Sequence, residues 1–236
     1  MNANLRLTER LRSATSAVHR ELERGPFVST MLRGALGRAA YVDLLRNLEP
    51  IYAALETALD RHAGEPALRT IDFTPLARTS RLREDIAALE PQLPTDARSL
   101  PGSQPQEPSR VYVRRLQDVA EAQPELLLAH AYVRYLGDLS GGQLLRRIVA
   151  VGLGSAPGVG VAFYDFGDAD ATAMLARRFR SGLDEAKVGD PDGVVAEALL
   201  GFELHRRLFE ALAARHDLDR SAPASEAPRR PITNRS

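Results

Sequence analysis

Three glycines interrupt a segment that otherwise has the composition of one long α-helix. Gly137, Gly141 and Gly142 lie between two runs, residues 125–134 and 144–149, that are rich in good helix formers. Each interior glycine lowers helix stability by about 1 kcal/mol relative to alanine, so three of them lower it by roughly 3 kcal/mol. Losses of this size are expected at functional sites. Because Gly137 and Gly141 are four residues apart, they share one helix face, where a large flat ligand could reach the backbone.

The glycine pair also allows other interpretations. Small residues four apart can let a second helix pack closely, in a membrane or in a soluble bundle. Arg134 and Asp138 beside the pair argue against lipid. A phosphate-binding loop is disfavoured, because no Gly-Lys-Ser/Thr follows and the glycines lie inside a helix. A ligand-binding floor and close helix packing both stay open on spacing alone.

Apolar residues recur at helical spacing along most of the chain, and no alternating strand pattern of useful length occurs. We expect Gly25-Pro26 to end the first helix, Pro50 to kink the second, and residues 90–109 to form a proline-containing loop. We therefore predict an all-α single domain over residues 1–216, followed by a disordered tail over residues 217–236. The predicted helices cover residues 5–23, 38–62, 79–89, 110–122, 124–149, 168–187 and 192–216.

The amino-acid composition excludes several classes of function. With 31 basic and 31 acidic residues the net charge is zero, so no overall field attracts nucleic acid or an anionic membrane. There is no cysteine, which excludes disulfides, thiolate catalysis and cysteine-ligated metal centres. A metal would need histidine or carboxylate ligands. No signal peptide and no apolar run of about 18 residues is present, so we expect a cytoplasmic protein without a membrane span.

The first predicted helix carries Arg12, Thr15, His19 and Glu23 on one flank. A histidine there is more often a surface or core residue than a ligand. However, Glu23 lies one turn after His19 and can accept a hydrogen bond from one ring nitrogen, as an axial haem ligand requires. Arg12 lies roughly 10 Å along the helix axis from His19, a distance that suits a haem propionate.

Two segments carry a resemblance to a known family. Residues 130–143, with the sequence HAYVRYLGDLSGGQ, resemble the distal-helix signature of the haem (heme) oxygenases, and residues 11–19 are similar to their proximal-helix segment. The resemblance runs from about residue 6 to residue 214. Further similar segments are residues 50–56, 112–116, 163–164, 179–181, 202 and 208–210.

The resemblance implies a haem-oxygenase-like fold in which haem is sandwiched between a proximal N-terminal helix and a glycine-kinked distal helix. It implies that His19 is the iron ligand and that Glu23 is its hydrogen-bond partner. Asp138 matches the carboxylate that organises distal water and supplies protons. The other implied site residues are Gly137 and Gly141 at the haem face, Arg134, Tyr52 and Tyr112 in the surrounding network, and Arg12, Tyr132 and Arg180 near the propionates.

The implied activity is cleavage of haem to biliverdin, with the α isomer as the family's usual product, and release of carbon monoxide and ferrous iron. It consumes O2 and electrons from a ferredoxin or an NAD(P)H-dependent reductase, and we expect a monomer. The paired arginines at 114–115, 146–147 and 206–207 could dock an acidic ferredoxin or form ordinary solvated helix faces. The alternatives are a non-catalytic haem carrier or sensor on the same fold, and a cofactor-free helical interaction module.

The chain departs from the family pattern at three positions. Ser16 and Ala176 stand where relatives often carry lysines for the propionates, so anchoring depends on Arg12, Arg180 and Arg177. His205 replaces an amide residue of the distal network. The missing lysines bear on how haem is seated and therefore on which meso carbon is attacked.

Overall fold

The computed structural model describes residues 5–94 and 105–218, and within these ranges it contains helices and no β-strand. This confirms the all-α prediction. Residues 1–4, the middle of the predicted loop and the tail from 219 onwards lie outside the described residues. The helices are α1 Leu7–Arg24, α2 Pro26–Leu32, α3 Arg38–Arg61, α4 Thr79–Leu89, α5 Glu107–Ala122, α6 Leu127–Ala131, α7 Gly137–Leu153, α8 Ala169–Glu185 and α9 Pro191–Arg215.

Helix α3 forms the centre of the core and packs against α4 and α5. It runs without interruption through Pro50 to Arg61. The apolar stripe expected from its sequence is buried throughout, at Tyr41, Leu44, Leu45, Leu48, Tyr52, Leu55 and Leu59. Tyr52 is therefore fixed by the same packing that holds the domain together.

Helix α1 lies against α8 and α9, with Leu11 fully buried. Its first turn is attached to both partners: Thr8 donates to Asp184 from the backbone (3.0 Å) and the hydroxyl (2.7 Å), and Arg10 pairs with Asp192. These contacts fix the angle at which the flank carrying His19 is presented.

Helix α2 has no counterpart among the helices predicted from the sequence. Gly25 ends α1 as expected, but Pro26 begins a second, seven-residue helix instead of a loop. Proline is well suited to a first helical position, where its missing N–H has no helical partner. Phe27 and Met31 bury this short helix against the core.

The glycine-containing helix is irregular one turn before its glycines. Tyr132–Leu136 forms a π-helical turn between α6 and α7. Gly137 has ordinary helical angles, φ −60° and ψ −49°, so α7 passes through the glycines without a break. It ends at Gly154, which adopts φ +58°, the left-handed conformation typical of a helix C-terminus.

The C-terminal end of α9 is tied back to the core. Asp43 on α3 accepts hydrogen bonds from Arg215 Nη1 (3.0 Å) and His216 Nε2 (3.0 Å), and the Leu218 N–H donates to Ala213 O at 2.9 Å. The limits of the domain at 216 and of the tail stay predictions. No helix in the described part of the chain is long and apolar enough to cross a membrane.

Candidate active site

The face of α7 that carries Gly137 and Gly141 is bare. A Cβ atom added to either glycine would meet nothing within 4 Å among residues 5–94 and 105–218. By contrast, a Cβ at Gly152 would come within 2.8 Å of Gly34 O, as expected where backbones pack closely. Neither backbone conformation nor helix packing therefore explains Gly137 and Gly141, and the close-packing interpretation is wrong for this pair.

Asp138 lies next to this bare face and is linked to Arg134 and Tyr52. Tyr52 donates a short hydrogen bond to Asp138 Oδ2. Arg134 donates to the Tyr52 hydroxyl from Nε (2.9 Å) and Nη2 (2.6 Å), and its Nη2 lies 3.6 Å from Asp138 Oδ1. The structure thus brings together three of the four residues expected to be catalytic.

The directions of these bonds follow from the groups involved. A guanidinium only donates, so the Tyr52 oxygen accepts two N–H groups from Arg134. Its single hydrogen is then free for Asp138, which accepts it. The result is a one-way chain of hydrogen bonds from Arg134 through Tyr52 to Asp138.

Burial controls the protonation of this cluster. It raises the pKa of Asp138 above its ordinary value, although Arg134, the Tyr52 hydrogen bond and Arg78 oppose the change. Burial also raises the pKa of Tyr52 well above its ordinary value, so the phenol stays a donor. Asp138 consequently holds a proton more readily than an exposed aspartate does.

His205 is the fourth member of this cluster. It accepts a short hydrogen bond at Nε2 from Arg134 Nη1, and its Nδ1 lies 3.0 Å from Gly201 O. The sequence placed His205 in the distal network by resemblance alone.

Tyr112 belongs to a neighbouring buried network rather than to the Asp138 cluster. Its hydroxyl lies 3.1 Å from His130 Nδ1, and His130 Nε2 lies 2.8 Å from Glu197 Oε1. Arg115 donates to Glu197 from Nε at 2.9 Å and so carries the network to the surface. The Tyr112 ring touches that of His205 edge-on, with centroids 5.0 Å apart.

His130 and Glu197 were not among the predicted site residues. The contacts of Glu197 join residues 67 and 82 positions apart in sequence, and that of His130 with Tyr112 joins residues 18 apart, so no local pattern reveals them. One signal was present: residues 194, 197, 198, 201, 204, 205 and 208 of α9 form a buried helical stripe that includes a glutamate and a histidine.

His19 and Glu23 lie together on the exposed flank of α1. His19 Nδ1 is 3.6 Å from Glu23 Oε1, which is longer than a direct hydrogen bond, and both side chains are about half exposed (49% and 50%). The His19 ring contacts Phe202 edge-on at 5.9 Å. An imidazole therefore lies at the surface of α1 with an acid one turn away.

Tyr132 joins the distal segment to α1. Its hydroxyl lies 3.2 Å from Thr15 Oγ1, and Thr15 in turn donates to Leu11 O at 2.8 Å. Because the Thr15 hydrogen is used in this way, Tyr132 donates to Thr15. This bond connects the two helices that the resemblance names proximal and distal.

Three arginines expected near the propionates, Arg12, Arg177 and Arg180, are exposed. None of them forms an ion pair with another described residue. Ser16 on α1 hydrogen-bonds its own helix, and Ala176 on α8 is buried. The guanidinium groups are thus free to meet carboxylates of a ligand.

The paired arginines behave differently, because neighbouring carboxylates neutralise most of them. Arg114 pairs with Glu107, Arg115 with Glu197, and Arg146 with Asp165. Arg206 and Arg207 share Glu203. These contacts favour the interpretation as solvated helix faces.

The residues fit a flat, dianionic, iron-containing ligand. In the described ranges no three His, Asp or Glu side chains come together as a metal site. Porphyrin supplies four nitrogens and needs one protein imidazole, a wall without side chains, and cations for two carboxylates. His19, the glycine face of α7, and the arginines of α1 and α8 offer these features.

Comparison with known proteins agrees with this chemistry. The family model described as "Heme oxygenase" matches residues 5–211. A relative named "Heme oxygenase" from Porphyra purpurea is 36% identical over 208 residues, covering 87% of this chain and 86% of the relative.

Solved structures show the same similarity. Heme oxygenase from Leptospira interrogans superposes with a TM-score of 0.80 at 32% identity, covering 88% of this chain and all of that one (100%). Heme oxygenase-1 from Synechocystis sp. PCC6803, solved in complex with heme, gives a TM-score of 0.79 at 31% identity over 89% of this chain and 94% of that chain.

Proposed function

Because the chain belongs to the haem oxygenase family, we propose that the site around Asp138 cleaves haem at the α-meso carbon to biliverdin, with release of carbon monoxide and ferrous iron. The enzyme class follows from membership of the family. The residue roles and the α isomer are our proposals. The observation that carries them is the position of Asp138, with its bonded partners, beside a helix face that no part of the described protein covers.

Bound haem supplies the iron that activates dioxygen and the ring that is oxidised. The protein supplies binding, orientation and protons. His19 provides Nε2 for the iron, and its Nδ1–H donates to Glu23, whose Oε1 lies 3.6 Å away and comes within hydrogen-bond distance by a small side-chain movement. Gly137 and Gly141 leave room for the ring at the α7 backbone.

Asp138 carries protons in this proposal. Its Oδ2 is occupied by Tyr52, so Oδ1 is the atom that holds water and passes protons into the pocket. Arg134 keeps the Tyr52 hydroxyl directed at the carboxylate, and the raised pKa lets Asp138 regain a proton from water after giving one up.

Arg12, Arg177 and Arg180 bind the propionates in this proposal, and Tyr132 closes the same edge through Thr15. Electrons come from a ferredoxin or an NAD(P)H-dependent reductase, and dioxygen is the co-substrate. The cytoplasmic location and the monomeric state stay predictions from the sequence.

The test is to mix the purified protein with haemin, add a reductant under air, and follow the visible spectrum. We expect the haem bands to be replaced by a biliverdin band, carbon monoxide to be trapped as the carbonyl complex of added myoglobin, and chromatography of the bilin to give the α isomer. A haem spectrum that persists with no bilin formed would instead support the carrier or sensor, and a lack of haem binding would support the interaction module.

The role of His19 is tested separately. His19→Ala should change the ferric haem spectrum because the axial imidazole is lost, whereas His62→Ala, a histidine at the end of α3, should leave it unchanged. An unaltered spectrum for His19→Ala would exclude His19 as the iron ligand.

A further inference from the structure

His205 is a buried imidazole to which the proposed reaction assigns no step. It lies in the middle of α9, is 1% exposed, and packs edge-on against Tyr112 with ring centroids 5.0 Å apart. Its two ring nitrogens both meet protein groups, Gly201 O and Arg134 Nη1. The side chain is therefore held by its contacts at both nitrogens.

The contacts fix which nitrogen carries the proton. A backbone carbonyl only accepts, so Nδ1, 3.0 Å from Gly201 O, is the protonated nitrogen. A guanidinium only donates, so Nε2 offers its lone pair to Arg134. An imidazolium would direct an N–H at the N–H groups of Arg134 and break this contact.

The charged and titratable side chains that face His205 are Arg134 from the π-helical turn, Tyr112 from α5 and His130 from α6. Burial, and after it the positive charge of Arg134, hold the pKa of His205 well below its usual range. Both the geometry and the surroundings thus keep the ring neutral.

The contact with His205 restricts Arg134. One edge of the guanidinium is held by the imidazole, and Nε and Nη2 are held by the Tyr52 hydroxyl at 2.9 and 2.6 Å. With its oxygen occupied by two N–H groups, Tyr52 has one direction left for its hydrogen, towards Asp138. The orientation of the His205 imidazole on α9 in this way affects the hydrogen bond that the Asp138 carboxylate on α7 receives.

We propose that His205 is a positioning residue for haem cleavage: as a neutral acceptor it holds Arg134 in the orientation that makes Tyr52 donate to Asp138. The proposal rests on the proposed role of Asp138 as proton carrier. The tautomer of His205 and its coupling to Tyr52 are nevertheless properties of the haem-free protein. They can be measured without turnover.

The first test is nitrogen-15 NMR of the imidazole groups in the haem-free protein. We expect His205 to show a protonated Nδ1 and an unprotonated, hydrogen-bonded Nε2, with no change between about pH 5 and 8, where an ordinary histidine titrates. An Nε2–H tautomer, or a ring that becomes charged in this range, would overturn the proposal.

The second test compares His205→Gln with His205→Leu. Glutamine places a carbonyl oxygen the same number of bonds from the backbone as Nε2, whereas leucine has no acceptor. We expect His205→Leu to slow biliverdin formation about tenfold, equivalent to about 1.4 kcal/mol of barrier, with haem affinity unchanged. His205→Gln should recover most of the parental rate.

A double-mutant cycle separates positioning from packing. If His205 acts through Tyr52, then His205→Leu should have almost no further effect in a Tyr52→Phe background. A tenfold loss that persists in that background, or a glutamine variant no better than leucine, would contradict the proposal. If the parental protein makes no biliverdin, the proposed function fails, while the NMR result still decides the role of His205 as acceptor.

Discussion

Two buried carboxylates in this domain are affected in opposite ways by their surroundings. Asp138 receives one hydrogen bond, from Tyr52, and burial raises its pKa. At Glu197, burial acts in the same direction, but the hydrogen bonds from Arg115 and His130 have the larger effect. The net result is a pKa lowered to about 2. Asp138 is suited to exchanging protons, whereas Glu197 is a permanent anion that holds two side chains in place.

Asp138→Asn should leave haem binding within about twofold and slow biliverdin formation by about a hundredfold or more, the usual contribution of a positioned acid or base. The amide keeps the shape and can still accept from Tyr52, but it cannot carry a proton. Haem titration and single-turnover spectra measure the two effects. Asp170→Asn, which changes an exposed acid on α8, is the control and should behave as the parent. Parental turnover in the Asp138→Asn variant would remove Asp138 from the proton path.

Glu197→Gln should change how stability depends on pH. A carboxylate whose folded-state pKa is lowered stabilises the fold fully above the unfolded-state pKa, about 4.3 for glutamate, and this stabilisation is lost as the pH falls towards 2. The parent should therefore exceed the variant in free energy of unfolding at about pH 6, and the difference should shrink between about pH 5 and pH 2. Urea unfolding at several pH values measures it. A difference independent of pH would show that the ion pairs of Glu197 are not its source.

In the distal segment, the arginine that points into the core and the glycines of the open face lie on two different helical elements. The π-helical turn, Tyr132–Leu136, carries Arg134, and the regular helix α7 carries Asp138 and the glycine face. A π turn contains one residue more than an α turn, so the side chains of α7 are rotated about the helix axis relative to those of α6. Arg134 can thus point into the core while Gly137 and Gly141 stay on the open side.

Gly141→Ala should make the haem-free protein more stable and the haem complex weaker. The added methyl group meets no described atom within 4 Å, and alanine favours the helix by about 1 kcal/mol, which should raise Tm by about 2–4 °C. The same methyl group would lie against haem, where overpacking costs about 1–3 kcal/mol and weakens binding about 5- to 150-fold. Thermal melts measure the expected rise in Tm, and haem titrations measure the expected loss of affinity.

Gly182→Ala is the matched control for this prediction. Its Cβ would lie 2.5 Å from Ile71 Cγ1 and 2.7 Å from Thr70 O, so it should destabilise the fold. If Gly141→Ala is destabilising as well, the α7 face is covered by protein and is not a ligand-binding wall.

Helical periodicity is enough to predict the long elements, because a stripe such as that of α3 is set by which residues must be buried. It cannot reveal α2, since seven residues are too few for a period to be recognised. Nor can it locate the π turn, whose hydrogen-bond register depends on tertiary contacts of Arg134 and Tyr132. The long helix expected around Pro50 is present and continues through this residue to Arg61, and the kink at Pro50 stays a prediction.

In the site, too, some residues can be found from the sequence and others cannot. Gly137, Gly141 and Asp138 are close together in sequence, so the motif and its spacing are sufficient to find them. Tyr52, which bonds to Asp138, comes from α3, and His205, which bonds to Arg134, comes from α9. These contacts are known only from the packing of those helices. The resemblance assigns Tyr112 to the same network, but its hydroxyl is directed at His130 instead.

Haem should stabilise the whole domain, because its binding surfaces exist together only in the folded state. At a free haem concentration about one hundred times Kd, mass action adds about 2.7 kcal/mol to the free energy of unfolding. For a chain of this length that corresponds to a rise in Tm of about 5–10 °C. Calorimetry with and without haemin measures the shift, and His19→Ala should reduce it. An unchanged Tm at saturating haemin would mean that haem binds the unfolded chain equally well.

The attachment of α1 also determines when the pocket can form during synthesis. Thr8 bonds to a residue 176 positions later and Arg10 to one 182 positions later, both in the last two helices. Contacts so distant in sequence form late, and on a ribosome they must wait until α8 and α9 have emerged. Helix α1, which carries His19, is therefore synthesised before the two helices that hold it in place, and a growing chain cannot complete the proposed haem pocket until α8 and α9 have left the ribosome.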